Sequence, residues 1–154
     1  MKTPLEKIES IITAYNSKRW EPHEIERLVN ASRSLATEIF FFSFEVGELH
    51  KQMTRTEFNR KLTFARSCQI LNEDKSKAGE KPVQTVIERE GLLMSQKALE
   101  EEKMSESEYQ AAKLLLDSAR DVLDAIRSQI SYFKTEKALE QSAQGSQRWQ
   151  LKTD

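Results

Sequence analysis

One cysteine, three prolines and four glycines are all that 154 residues contain of three structurally decisive residue types, and each scarcity excludes something. Cys68 alone can close no internal disulfide and supports no cysteine-rich metal site; a reducing compartment is the default for such a chain. The few, scattered glycines build no phosphate-cradling loop. Glycine and proline together are too scarce for an all-β protein with many turns. No stretch reaches the roughly 18 apolar residues of a membrane span. "MKTPLEKIESII" lacks the long apolar run of a signal peptide, so a soluble, cytoplasmic protein is expected. The formal net charge is -1, so bulk charge predicts no partner and its distribution has to be read instead. His23 and His50 match no metal-ligand spacing, and the carboxylates are spread over solvent-like faces. No metal, no cofactor and no catalytic constellation is expected; Cys68, on an apolar stripe, reads as packed rather than nucleophilic.

What the chain does hold is charge, at 32% of residues, and helix formers. Thr3 before Pro4 predicts an N-cap and a short helix ending near Asn16, with Leu5, Ile8, Ile11 and Ile12 on one face. "SKRWEPH" is the expected connector, and Pro22 opens a second helix. There Leu28, Ser32, Leu35, Ile39, Phe42, Val46, Leu49 and Met53 follow at steps of 4, 3, 4, 3, 4, 3, 4, a heptad seam broken only by Ser32. The register slips near "MTRTE", where Phe58, Leu62 and Ala65 start a new stripe with Phe64, Cys68 and Leu71 beside it. The chain either continues through a stutter or breaks and restarts. "NEDKSKAGEKP" (72–82) is the expected loop. The last long segment starts at Val83; a kink or break is expected in "EEEKMSESE" (100–108), where Ser105 and Glu108 have capping-box spacing. Tyr109, Ala112, Leu116, Ala119, Leu123, Ile126, Ile130 and Phe133 then form a second strict heptad seam. Residues 141–154 lack periodicity and read as a mobile tail on a single helical domain, 1–140. The predicted fold is all-α: an elongated antiparallel helical hairpin with heptad seams plus a short N-terminal helix. Pattern alone leaves open whether the seams pair within or between chains.

"IFFFSFEV" carries four phenylalanines in five positions. At 100° per residue Phe42 falls on the seam, whereas Phe40, Phe41 and Phe44 point largely away from it. Either the chain itself covers these three, by its first helix or the far end of the hairpin, or they form an oligomer interface. Charge is segregated on the same helix. Six acids and two bases lie between Glu21 and Glu48, then five bases and one acid between Lys51 and Arg66. Lys51, Arg55, Arg60, Lys61 and Arg66 are candidates to neutralise phosphates, with Phe58 or Phe64 as stacking surfaces for unpaired bases. The competing reading is a solvated face beside core aromatics. Lys113, Arg120, Arg127 and Lys134 are spaced by seven; Asp117, Asp121 and Asp124 can pair with them, and pairing is the favoured reading for Arg120. Lys134 and Lys137, with only Glu136 nearby, stay open to phosphate contact.

"LDAIRSQISYFK", from Leu123 to Lys134, resembles the corresponding segment of the UvsY family of T-even-type phage recombination mediators. The matching residues are Leu123, Asp124, Ala125, Ile126, Arg127, Ser128 and Lys134. The order of a long helix with a basic second half, a polar loop and another long helical segment is similar over about residues 22–140. The resemblance implies an oligomeric, ring-forming, non-enzymatic protein in the host cell cytoplasm. Such a protein binds single-stranded DNA, contacts a single-strand binding protein and helps load a RecA-like recombinase. It carries over no DNA-contact residue. The alternative is a helical scaffolding, regulatory or complex-subunit protein that contacts only protein.

Overall fold

The computed structural model describes the backbone of residues 2–150 and the side chains of residues 2–142. It contains a short helix α1 (Pro4–Asn16), a 3-10 turn at Pro22–Glu24, and α2 (Ile25–Lys77), α3 (Gln84–Met94) and α4 (Gln96–Gln150), with no strand among the described residues. The fold is all-α, with α2 and α4 as a hairpin-like pair of long helices.

The start of α1 follows from three residues. Glu6 N–H donates to Thr3 Oγ1 at 3.2 Å, Thr3 N–H donates back to Glu6 Oε2 at 2.8 Å, and Pro4 takes the first helical position, where its missing N–H costs nothing. The end of α2 is a Schellman motif. Glu80 N–H reaches Lys75 O at 3.0 Å and Gly79 N–H reaches Ser76 O at 3.2 Å, with Gly79 at φ 75. Helix α2 therefore runs six residues into the segment expected as a loop, and only residues 78–83 connect it to α3. No break occurs near "MTRTE" or at 100–108. The one interruption of the last helical stretch is at Ser95 (φ -96, ψ 7), whose hydroxyl donates to Leu92 O at 3.1 Å, a local bond that bends helices. Of the expected tail at 141–154, the backbone is helical to Gln150 and residues 151–154 lie outside the described residues.

The chain divides into two compact units, Met1–Ser43 with Leu115–Asp154, and Phe44–Leu114. The first has an apolar interior. Leu28, Leu35, Ile39 and Phe42 of α2 and Leu116, Ala119, Leu123, Ile126 and Phe133 of α4 are buried, as the two heptad seams predict, and Ile8 of α1 joins them. Helix α1 is tied to both long helices: Lys7 Nζ donates to Glu38 Oε1 at 2.9 Å, and Tyr15 Oη donates to Gln129 Oε1 at 3.0 Å. Trp20 Nε1 donates to Tyr15 O at 3.0 Å, and Lys18 Nζ lies 4.3 Å over the Trp20 ring, which fixes the connector.

The second unit has a polar interior. Helix α2 meets α3 and α4 in antiparallel order: His50 packs by Tyr109, Thr56 Oγ1 lies 2.5 Å from Ser105 Oγ, Arg60 pairs with Glu102, and Lys75 pairs with Glu90 at 3.1 Å. The inward positions of α2 are Leu49, Met53, Thr56, Arg60, Thr63, Ser67 and Leu71. Their steps of 4, 3, 4, 3, 4, 4 carry on the register of the first seam, so the expected slip does not occur. The stripe predicted at Phe58, Leu62 and Ala65 is exposed instead. Gly91 is buried against Cys68: a Cβ there would sit 2.7 Å from Cys68 Sγ, so a larger residue would have to displace the Cys68 side chain for α3 to approach α2 this closely. Ser105, expected near a helix start, is a buried mid-helix residue facing Thr56.

Candidate nucleic-acid interface

The inward turn of Thr56, Arg60, Thr63 and Ser67 decides which predicted site residues reach solvent. Arg60 belongs with the interior. Its Nε lies against Glu102 Oε2 as an ion pair, with side-chain exposures of 28% and 16%. Phe64 is half-buried; its ring edge is 3.5 Å from the position a Cβ on Gly91 would take, so it faces α3 rather than a base. Neither residue offers itself to a strand outside, because both occupy the side of α2 that packs.

The opposite side of α2 carries Lys51, Arg55, Phe58, Leu62 and Arg66, spaced 4, 3, 4, 4 and exposed. Steps of three and four keep residues on one helical face. Phe58 is 65% exposed, unusual for a phenylalanine. With Arg55, Thr54 and Asn59 it lines a shallow depression of about 370 Å³. An accessible ring can stack on a base, a guanidinium can take a phosphate, and a carboxamide can meet a base edge. Sequence reading missed Thr54 and Asn59; the signal available was the spacing of four that sets Thr54 beside Phe58 and Asn59 beside Arg55.

Charge on this face is partly committed. Lys51 Nζ donates to Glu48 Oε1 at 2.6 Å, and Lys61 Nζ, on the flank, donates to Glu57 Oε1 at 2.5 Å. The hydrogen bond from Lys51, then its charge, holds the Glu48 carboxyl below the usual carboxylate range; Lys61 does the same to Glu57. Both pairs are surface pairs of small worth and open to exchange for a phosphate. Arg55 and Arg66 are in no ion pair among the described residues.

Phe40, Phe41 and Phe44 are exposed at 58%, 52% and 61%, while Phe42 is buried at 4%. The helical-angle reading therefore separates them correctly, and α1 leaves all three accessible to solvent. Phe40 and Phe41 meet edge to face with centroids 5.7 Å apart. On α4 the pairing favoured for Arg120 is present, its Nη1 donating to Asp117 at 3.2 Å, and Arg127 Nη1 likewise donates to Asp124 at 3.4 Å. Lys134 and Lys137 are exposed. No helix among the described residues is long and apolar enough to cross a membrane, and no three His, Cys, Asp or Glu side chains among them cluster as a metal site would require. The chain matches no known protein family, no curated protein and no solved structure.

Proposed function

We propose that the protein binds single-stranded DNA along the exposed face of α2 and acts without catalysis, as an oligomeric recombination mediator. The observation that carries this reading is Phe58 standing clear of the surface beside Arg55, on a face whose other cations are Lys51 and Arg66. An exposed aromatic among cations suits a flexible single strand, whose bases are free to stack, better than a duplex. The mediator role rests on the resemblance at Leu123 to Lys134. By that resemblance the DNA-bound assembly would contact a single-strand binding protein and assist a RecA-like recombinase. Several copies side by side would multiply weak contacts into useful avidity.

The test is a titration of oligothymidylate binding against salt. Wild type should show log affinity falling linearly with log salt. The variant K51E/R55E should lose at least about tenfold in affinity at 0.1 M salt. Arg60 is left out because its reversal would place a second carboxylate against Glu102. No binding of single strands by wild type, or a salt-insensitive affinity, would overturn the reading.

A second reading, assembly through protein contacts alone, is favoured by the exposed rings of Phe40, Phe41 and Phe44. It predicts an oligomer by light scattering whose mass falls on substitution of Phe40 and Phe41 by serine, with no affinity for nucleic acid.

A further inference from the structure

The first unit holds an open surface cavity of about 330 Å³ lined by Ile25, Glu26, Val29, Asn30 and Arg33 of α2 and by Lys134 of α4. Arg33 and Lys134 are 101 residues apart in sequence, and the fold brings them to one concave site. Several cations of this unit are paired: Arg27 and Lys18 with Glu24, Lys7 with Glu38, Arg120 with Asp117 and Arg127 with Asp124. Arg33 and Lys134 are in no ion pair among the described residues. Both are held from below. Phe133, next to Lys134, is buried, and Leu35, two residues from Arg33, is fully buried, so the backbones carrying the two cations are anchored.

We infer that this cavity is a phosphodiester-binding site, a second contact for single-stranded nucleic acid besides the exposed face of α2; the inference rests on the single-strand reading above. Two cations against the one carboxylate of Glu26 leave a net charge of +1 on the lining, which matches the single negative charge of a phosphodiester. Arg33 supplies a planar fork of donors, Lys134 a point charge and Asn30 a carboxamide donor. Ile25 and Val29 form an apolar wall for the sugar or base attached to that phosphate. The volume lies at the low end of the roughly 300–1,000 Å³ typical of small-ligand sites, enough to seat one nucleotide unit of a longer strand.

The experiment compares wild type, R33Q/K134Q, E26Q and K51Q/R55Q in oligothymidylate titrations at several salt concentrations, with circular dichroism confirming the helix content of each. R33Q/K134Q should flatten the salt slope by about 1.4, two contacts at about 0.7 each, and cost roughly tenfold in affinity at 0.1 M salt. E26Q, which removes the opposing carboxylate, should tighten binding. If R33Q/K134Q keeps the wild-type affinity and slope while K51Q/R55Q loses both, the cavity inference falls and the single-strand reading stands. If wild type binds no single strand, the single-strand reading falls. The cavity is then tested alone with dimethyl phosphate, following side-chain nitrogen resonances of Arg33 and Lys134. Shifts that saturate in wild type and vanish in R33Q/K134Q keep the anion site; no shift removes it.

Discussion

The two units bury opposite chemistries with the same helices. Among the described residues, ten of the twelve buried hydrophobic side chains lie in the unit of residues 1–43 and 115–154, and only Val46 and Ile87 lie in the unit of residues 44–114. Exposed large hydrophobics run the other way: eleven of fifteen, among them Phe58, Leu93, Met104 and Leu114, belong to the second unit. One unit is closed by burial of hydrocarbon. The other is closed largely by a hydroxyl pair, two ion pairs and small residues, and presents most of its large apolar side chains outward. Hydrocarbon burial is non-directional and tolerates imperfect fit, whereas a polar seam holds only where its partners meet. The first arrangement supplies stability; the second specifies register and leaves surface for contacts outside the unit.

The sharpest way to break this contrast is to cut the apolar core. Ile126→Ala removes a fully buried side chain and should cost about 2–5 kcal/mol in urea unfolding. A loss under about 1 kcal/mol would mean that the first unit does not depend on its seam. In the second unit the closest approach is the target. Gly91→Ala places a methyl against Cys68 Sγ and should cost about 1–3 kcal/mol, and Gly91→Ala with Cys68→Ala should recover most of it. Failure of the rescue would show that something other than this contact excludes alanine. Arg60→Met strands Glu102 in a half-buried setting. The expected cost is about 1–3 kcal/mol, below the 3–5 of fully buried pairs because both partners retain some water. In Arg60→Met alone, hydrogen exchange should quicken in residues 44–114 while residues 115–142 stay protected, and pairing it with Glu102→Leu should restore or exceed wild-type stability. A double variant as unstable as the single one would contradict the view that the ion pair serves register rather than stability.

The smallest expected effect is of pH. Glu48 and Glu57 have folded-state pKa values lowered by Lys51 and Lys61, so their contribution is present above the ordinary carboxylate range and is lost as pH falls through the lowered values. Thermal unfolding of Glu48→Gln/Glu57→Gln should differ slightly from wild type near neutrality and converge with it in acid. An unchanged gap at low pH would assign the difference to something other than these pairs.

The helical class, α1 with its Thr3 N-cap, both apolar seams and the outward turn of Phe40, Phe41 and Phe44 were legible because each rests on local chemistry or on hydrophobic period. The same method failed where the period is carried by polar residues. Thr56, Arg60, Thr63 and Ser67 hold the seam register, but the apolar signal moves outward to Phe58 and Leu62, so the pattern imitates a slip. Gly79 could have marked the true end of α2, since glycine takes the left-handed position after a helix; the polar composition of 72–77 drew the loop boundary too early. Among the candidate contacts, Arg55, Phe58 and Arg66 are exposed, whereas Arg60 and Phe64, indistinguishable from them in composition, pack inward.

Sequence by itself determined that this chain is helical, where its two apolar seams lie, and that its bases cluster after Lys51. Propensity, capping and period act over one to four residues and need no partner. Only tertiary structure decided that Arg60 meets Glu102, that Gly91 admits Cys68, and that Arg33 and Lys134 share a cavity. Those outcomes depend on which faces of distant segments come within a few ångströms of each other, and a polar side chain carries no mark of whether it will face water or a partner.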